Sequence, residues 1–119
     1  MKRYNHNLTQ RFRALPRGET AVSAISYGEL LFGVEPLPAF HVARSRVDNF
    51  VRTTTVLDWP GQAAVFYAEI RHRTRKQPLN DRDMFIAAHA IAIGATLVTN
   101  NTRHFERMGG GLRFENWLP

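Results

Sequence analysis

Short β-branched or apolar runs alternate with longer amphipathic segments along most of the chain. No other feature constrains the fold as strongly. Thr20–Ile25 reads as a buried strand, and a helix starting at Ser26 runs through Glu29, Leu30, Leu31 and Phe32 until Pro36 and Pro38 break it. Phe40–Val51 follows as a second helix with Val42, Val47, Phe50 and Val51 on its apolar side, and Thr53–Leu57 is a β-branched strand. Pro60, suited to a first helical position, opens a helix to about Lys76 whose stripe is Ala63, Ala64, Phe66, Tyr67 and Ile70. Asp81–Ile93, closed by Gly94, is apolar nearly all round and is expected to be the most buried helix. Thr96–Thr99, a short helix over Thr102–Met108, the Gly109-Gly110-Gly111 loop and a strand over Leu112–Glu115 complete the series. Residues 1–19 carry only a weak helical pattern through Leu8, Phe12 and Leu15. Strands alternating with helices predict an α/β fold with a parallel sheet and helices on both faces.

With 119 residues, one domain over residues 1–119 is expected, large enough to bury a core without covalent staples. The chain has no cysteine, which excludes a disulfide scaffold, a thiolate zinc site and a cysteine nucleophile. No apolar run approaches the length of a membrane span, and Met1–Asn7 lacks the apolar stretch of a secretory signal, so a cytosolic protein without membrane contact is expected. Basic residues outnumber acidic ones by 16 to 10, and all but two of the 16 are arginine. The guanidinium fork matches phosphate geometry, so this excess points to a polyanionic partner, nucleic acid or an acidic protein; a GC-rich genome would give the same composition.

In open α/β sheets, ligands bind beyond the carboxyl ends of the strands. Glu29, Asp83 and Asn101 all fall at that edge. Two carboxylates and an amide oxygen form the oxygen-only donor set that suits Mg²⁺ or Mn²⁺, ions that neutralise phosphate charge and activate water. Each residue also has a purely local reading. Ser26-Tyr27-Gly28-Glu29 has the form of a capping box, Asn80 can cap a helix whose dipole favours Asp83, and Asn101 can cap the helix beginning at Thr102. His89, six positions after Asp83, points away from it and reads as a packing histidine. Arg71-His72-Arg73-Thr74-Arg75-Lys76 reads as a solvated helix face, with RNA contact as the other reading. The triple glycine precedes a strand rather than a helix and so lacks the geometry of a phosphate-cradling loop.

Four collinear segments carry a family resemblance. They are Ala21–Leu30 with Phe32–Glu35, Asp83–Ala90, Gly94–Asn101, and Phe105–Arg107 with Glu115–Leu118. Together they resemble a PIN-domain toxin of the VapC kind. The resemblance implies a three-layer α/β/α domain that cleaves RNA with Mg²⁺, works as a homodimer and is restrained by a VapB-type antitoxin. It also implies that Glu29 and Asp83 are metal-site carboxylates, with Asn101 standing where many relatives carry a further aspartate. Members of that family begin with an apolar strand ending in Asp-Thr-Asn, which supplies the first catalytic aspartate. Nothing before Leu8 resembles it, and Met1–Asn5 looks like the helix that follows that strand. The chain is therefore expected to lack the family's first strand. Two functions stay open at this point: a metal-dependent ribonuclease toxin, and a non-cleaving chain that only binds antitoxin or RNA.

Overall fold

A computed structural model describes residues 20–98 and 102–115. It consists of two compact units divided between Asp58 and Trp59. The expectations that concern residues 1–19, Thr99 and Asn101 lie outside the described residues.

The first unit contains β1 (Ala21–Ser23), α1 (Ala24–Val34), α2 (Val42–Arg52) and β2 (Thr55–Leu57). β1 and β2 pair in parallel, with Ala21 opposite Thr55, Val22 opposite Val56 and Ser23 opposite Leu57. The helix starts two residues earlier than its sequence suggests. Ser23 is the cap, its hydroxyl accepting from the Ile25 N–H at 3.2 Å, so the strand stops there instead of continuing to Ile25. α2 likewise starts at Val42, after His41 takes the cap position and its Nδ1 accepts from the Ala43 N–H. Phe40 and Val42 are consequently exposed, and the buried stripe is Ala43 and Val47 with Val51 beside them. These meet Tyr27, Val34 and Leu37 in a small core. Arg44 fixes the intervening turn by donating to the carbonyls of Glu35 and Leu37. Thr53 ends α2 by bonding back to Phe50, which delays β2 to Thr55.

The second unit contains α3 (Ala63–Arg73), α4 (Asp81–Ile93), β3 (Thr96–Val98), α5 (Thr102–Glu106) and β4 (Arg113–Glu115). β3 and β4 are parallel, with Leu97 opposite Phe114. Both described sheets are therefore parallel pairs joined through helices, as an α/β fold requires. α3 starts later than Pro60 because Pro60, Gly61 and Gln62 form a tight turn whose carbonyls accept from residues three positions on. It ends at Arg73, where the buried Thr74 hydroxyl bonds back to the Ile70 carbonyl.

α3 and α4 pack along Ala63, Phe66, Tyr67 and Ile70 on one side and Met84, Ala87, Ala88 and Ile91 on the other. Both sets follow the i, i+3, i+4, i+7 spacing of one helix face. Alanines at 63, 87 and 88 are fully buried and let the two backbones approach, while Ile70 and Met108 fill the space between elements. An aromatic chain reinforces this contact. Tyr67 stacks on Phe85 at 4.4 Å, Trp59 meets the same ring edge-on, and the Trp59 indole N–H donates to the Phe85 carbonyl at 2.9 Å. α4 has the bounds its sequence predicts. Gly94 at φ 68° ends it, and the Ala95 N–H reaches back to the Ala90 carbonyl in a Schellman closure that a β-carbon would strain. No helix among the described residues is long and apolar enough to cross a membrane.

His89 is buried on α4 at 3% exposure, and desolvation holds its pKa below the ordinary 6.5. The unfolded chain then binds a proton at this position more readily than the folded chain does. Stability contributed by the neutral ring is complete above about pH 6.5 and is lost as pH falls through that value toward the lowered folded pKa. Thermal unfolding between pH 7.5 and 5.5 should show a falling Tm that His89→Gln partly flattens. Equal pH slopes for the two proteins would contradict this.

Candidate active site

Asp83 is the third residue of α4. Asn80 caps that helix, its side-chain oxygen accepting from the Arg82 N–H at 2.8 Å. Asp81 and Asp83 both lie in the first turn, where the exposed N–H groups favour negative charge. The Tyr67 hydroxyl donates to Asp81 at 3.1 Å and Arg71 donates to that same hydroxyl, so the start of α4 is tied to α3. Asp83 is thus held on a rigid, buried helix at its polar end. Its carboxylate Oδ2 lies 3.3 Å from His104 Nδ1, and the two side chains are 27% and 45% exposed. Asn80 therefore does cap, as the local reading holds, while the Asp83 carboxylate engages a residue on a different element.

Glu29 lies in the second turn of α1, on an exposed position of the first unit. With Ser23 as cap, Ser26 and Glu29 are interior helix residues, so the capping-box reading of Glu29 does not hold. Asn101 lies outside the described residues. Of the residues singled out for the site, Asp83 is placed beside a second titratable side chain, His104. His104 was not anticipated from sequence. Its available signal is position, in the first turn of the helix that follows the carboxyl end of the Thr96–Val98 strand.

Among the described residues, no three histidine, aspartate or glutamate side chains gather as a metal-holding group. The carboxylates of Glu29 and Asp83 still fit a hard divalent cation in kind, because oxygen donors with accompanying waters are what such ions select. Ligating carboxylates are themselves held by hydrogen bonds, and His104 stands where it can supply one to Asp83.

The PIN domain family profile matches residues 4–111. The chain is 36% identical over 113 residues to the tRNA(fMet)-specific endonuclease VapC of Shigella flexneri, covering 93% of this chain and 84% of that protein. Its fold matches VapBC2 from Rickettsia felis, a structure bound to a promoter DNA fragment, with a TM-score of 0.83 and 31% identity over 95% of this chain and 86% of that one. DNA-bound VapBC from Salmonella typhimurium gives a TM-score of 0.81 and 33% identity, again over 95% and 86% of the two chains. Taken with the parallel strand pairs and the carboxylate at the head of a buried helix, these findings define a nuclease of the PIN fold. The chain belongs to the PIN-domain family, and within it to the VapC type, whose nucleases depend on a divalent metal ion.

Proposed function

We propose that this chain is the RNA-cleaving toxin of a VapBC-type toxin–antitoxin pair, acting as a cytosolic homodimer held in check by a VapB-type antitoxin. The observation that carries the reading is the family match running through both units, from residue 4 to residue 111, together with Asp83 on the buried helix α4. The same continuous match supports treating the two units as parts of one domain. Glu29 and Asp83 are the metal-site carboxylates in this reading, with Asn101 as an amide donor for water, and Mg²⁺ or Mn²⁺ as the ion. When bound, such an ion neutralises charge on the scissile phosphate and acidifies a water molecule. Asp83 contributes negative charge at a fixed position, because its helix is capped by Asn80 and clamped to α3 through Tyr67. His104 holds one carboxylate oxygen of Asp83 and so limits which rotamer the carboxylate adopts.

The test is direct. Purified chain is incubated with labelled tRNA in Mg²⁺, in Mn²⁺ and in chelator, with and without a VapB-type antitoxin. Cleavage that needs the metal and is suppressed by the antitoxin is expected. Intact RNA under every metal condition would overturn the reading.

A further inference from the structure

The basic stretch at the end of α3 does not behave as a uniformly solvated helix face. Arg73, Arg75, Lys76 and Arg107 line one open cleft of about 620 Å³, together with Thr74 and Gln77. Three of the four cations are held in place by backbone carbonyls. Arg73 donates to the Met108 carbonyl, Arg75 to the His72 carbonyl and Arg107 to the Gln77 carbonyl. The Gly109-Gly110 turn permits the first of these. Gly110, at φ 66°, lies so close to Arg73 that an added β-carbon would come within 3.4 Å of the guanidinium. A carbonyl acceptor fixes a guanidinium without cancelling its charge, and leaves further N–H donors on the same planar group. Among the described residues none of these four cations is in an ion pair. Four like charges around one cleft, three of them fixed, repel one another, a cost that a polyanion relieves.

We propose that this cleft is a phosphate-binding track for the RNA strand, separate from the carboxylate centre and delivering RNA to it. The proposal rests on the nuclease reading above and adds the surface that holds the substrate. RNA is favoured over a small phosphate ligand because the cations are spread over two chain segments around an open cleft rather than converging on one point. It is favoured over an acidic protein because pre-positioned arginine forks match phosphate oxygens in pairs. The cleft also adjoins the candidate centre through one short segment. Arg107, the first residue after α5, stands three positions from His104, and His104 contacts Asp83.

Anisotropy of a fluorescein-labelled single-stranded RNA, measured in chelator from 50 to 200 mM salt with the full chain, tests the idea. Neutralising Arg75 and Lys76 together, Arg75→Gln with Lys76→Gln, should weaken binding about tenfold at the lowest salt. It should also reduce the slope of log affinity against log salt by about 1.4, or about 0.7 for each lost phosphate contact. Arg46→Gln with Arg52→Gln on α2 removes the same net charge and should change the slope far less. Equal losses in the two double variants would mean that net charge alone acts, and would overturn the proposal. Wild-type chain that cuts RNA while the cleft variant keeps its full affinity and slope would overturn the track and leave the nuclease reading standing. A cleft variant that loses antitoxin affinity with RNA binding unchanged would overturn it in favour of an acidic protein partner. Wild-type chain that neither binds nor cuts RNA would overturn both.

Discussion

Replacing Asp83 by asparagine is expected to lower RNA cleavage by on the order of a thousandfold or more while leaving the fold intact. The substitution keeps size and shape and removes one negative charge from the first turn of α4. Loss of that charge from the helix terminus costs only about 0.3–1 kcal/mol of stability. The catalytic loss is larger because affinity for a hard cation depends on ligand charge, and Asp83 is one of two carboxylates assigned to the site. His104→Ala provides the comparison. It removes the group beside the carboxylate rather than the carboxylate itself, and outer supports of this kind typically account for about 10–100-fold. Single-turnover cleavage across a Mn²⁺ titration, with Mn²⁺ affinity measured by calorimetry, should rank the rates wild type, His104→Ala, Asp83→Asn. A fully active Asp83→Asn protein would remove Asp83 from the site.

The second large effect concerns stability. Ile70 is 1% exposed and sits where α3 packs against α4, so Ile70→Ala leaves a void that backbones already in contact cannot close. Such truncations cost about 2–5 kcal/mol, against a total stability of about 5–15 kcal/mol for a typical domain. A fall in Tm on the order of 10 °C or more is expected. Ile70→Val, which removes one methyl group, should cost about 0.5–1.5 kcal/mol. Differential scanning calorimetry of the three proteins measures this, and an unchanged Tm for Ile70→Ala would show that the α3–α4 contact is not the main support of the second unit.

The sequence made some elements legible and others not, for identifiable reasons. α4 has the bounds expected of it, because Asn80 and Gly94 have strong and opposite end preferences. α1 begins earlier than expected because two serines, Ser23 and Ser26, could each cap it. Only the tertiary path of the chain decides between them, and its choice places Glu29 inside the helix. α3 is shorter than its amphipathic pattern at both ends. Propensity alone did not register the Pro60–Gln62 turn or the back-bonding of Thr74. Asp83 was legible from its place at the head of an apolar helix and from the family resemblance. His104 was not, since its relation to Asp83 is a contact across 21 positions of chain, and no local pattern encodes such a contact. The basic stretch was visible as a run of charge. Its grouping with Arg107 was not, for the same reason.

The two strand pairs have a consequence for how the chain acquires its structure. The β3–β4 register joins Thr96 to Arg113, half the chain separation at which the β1–β2 register joins Ala21 to Thr55. Each doubling of a closed loop adds only about 0.6 kcal/mol of lost chain entropy, but that difference enters the barrier before any contact repays it. The β3–β4 closure also draws on helix α5, which lies within its own loop and packs Phe105 into the core. The pairing of β3 with β4 therefore closes on the shorter search, and the pairing of β1 with β2 is expected to be the slower event.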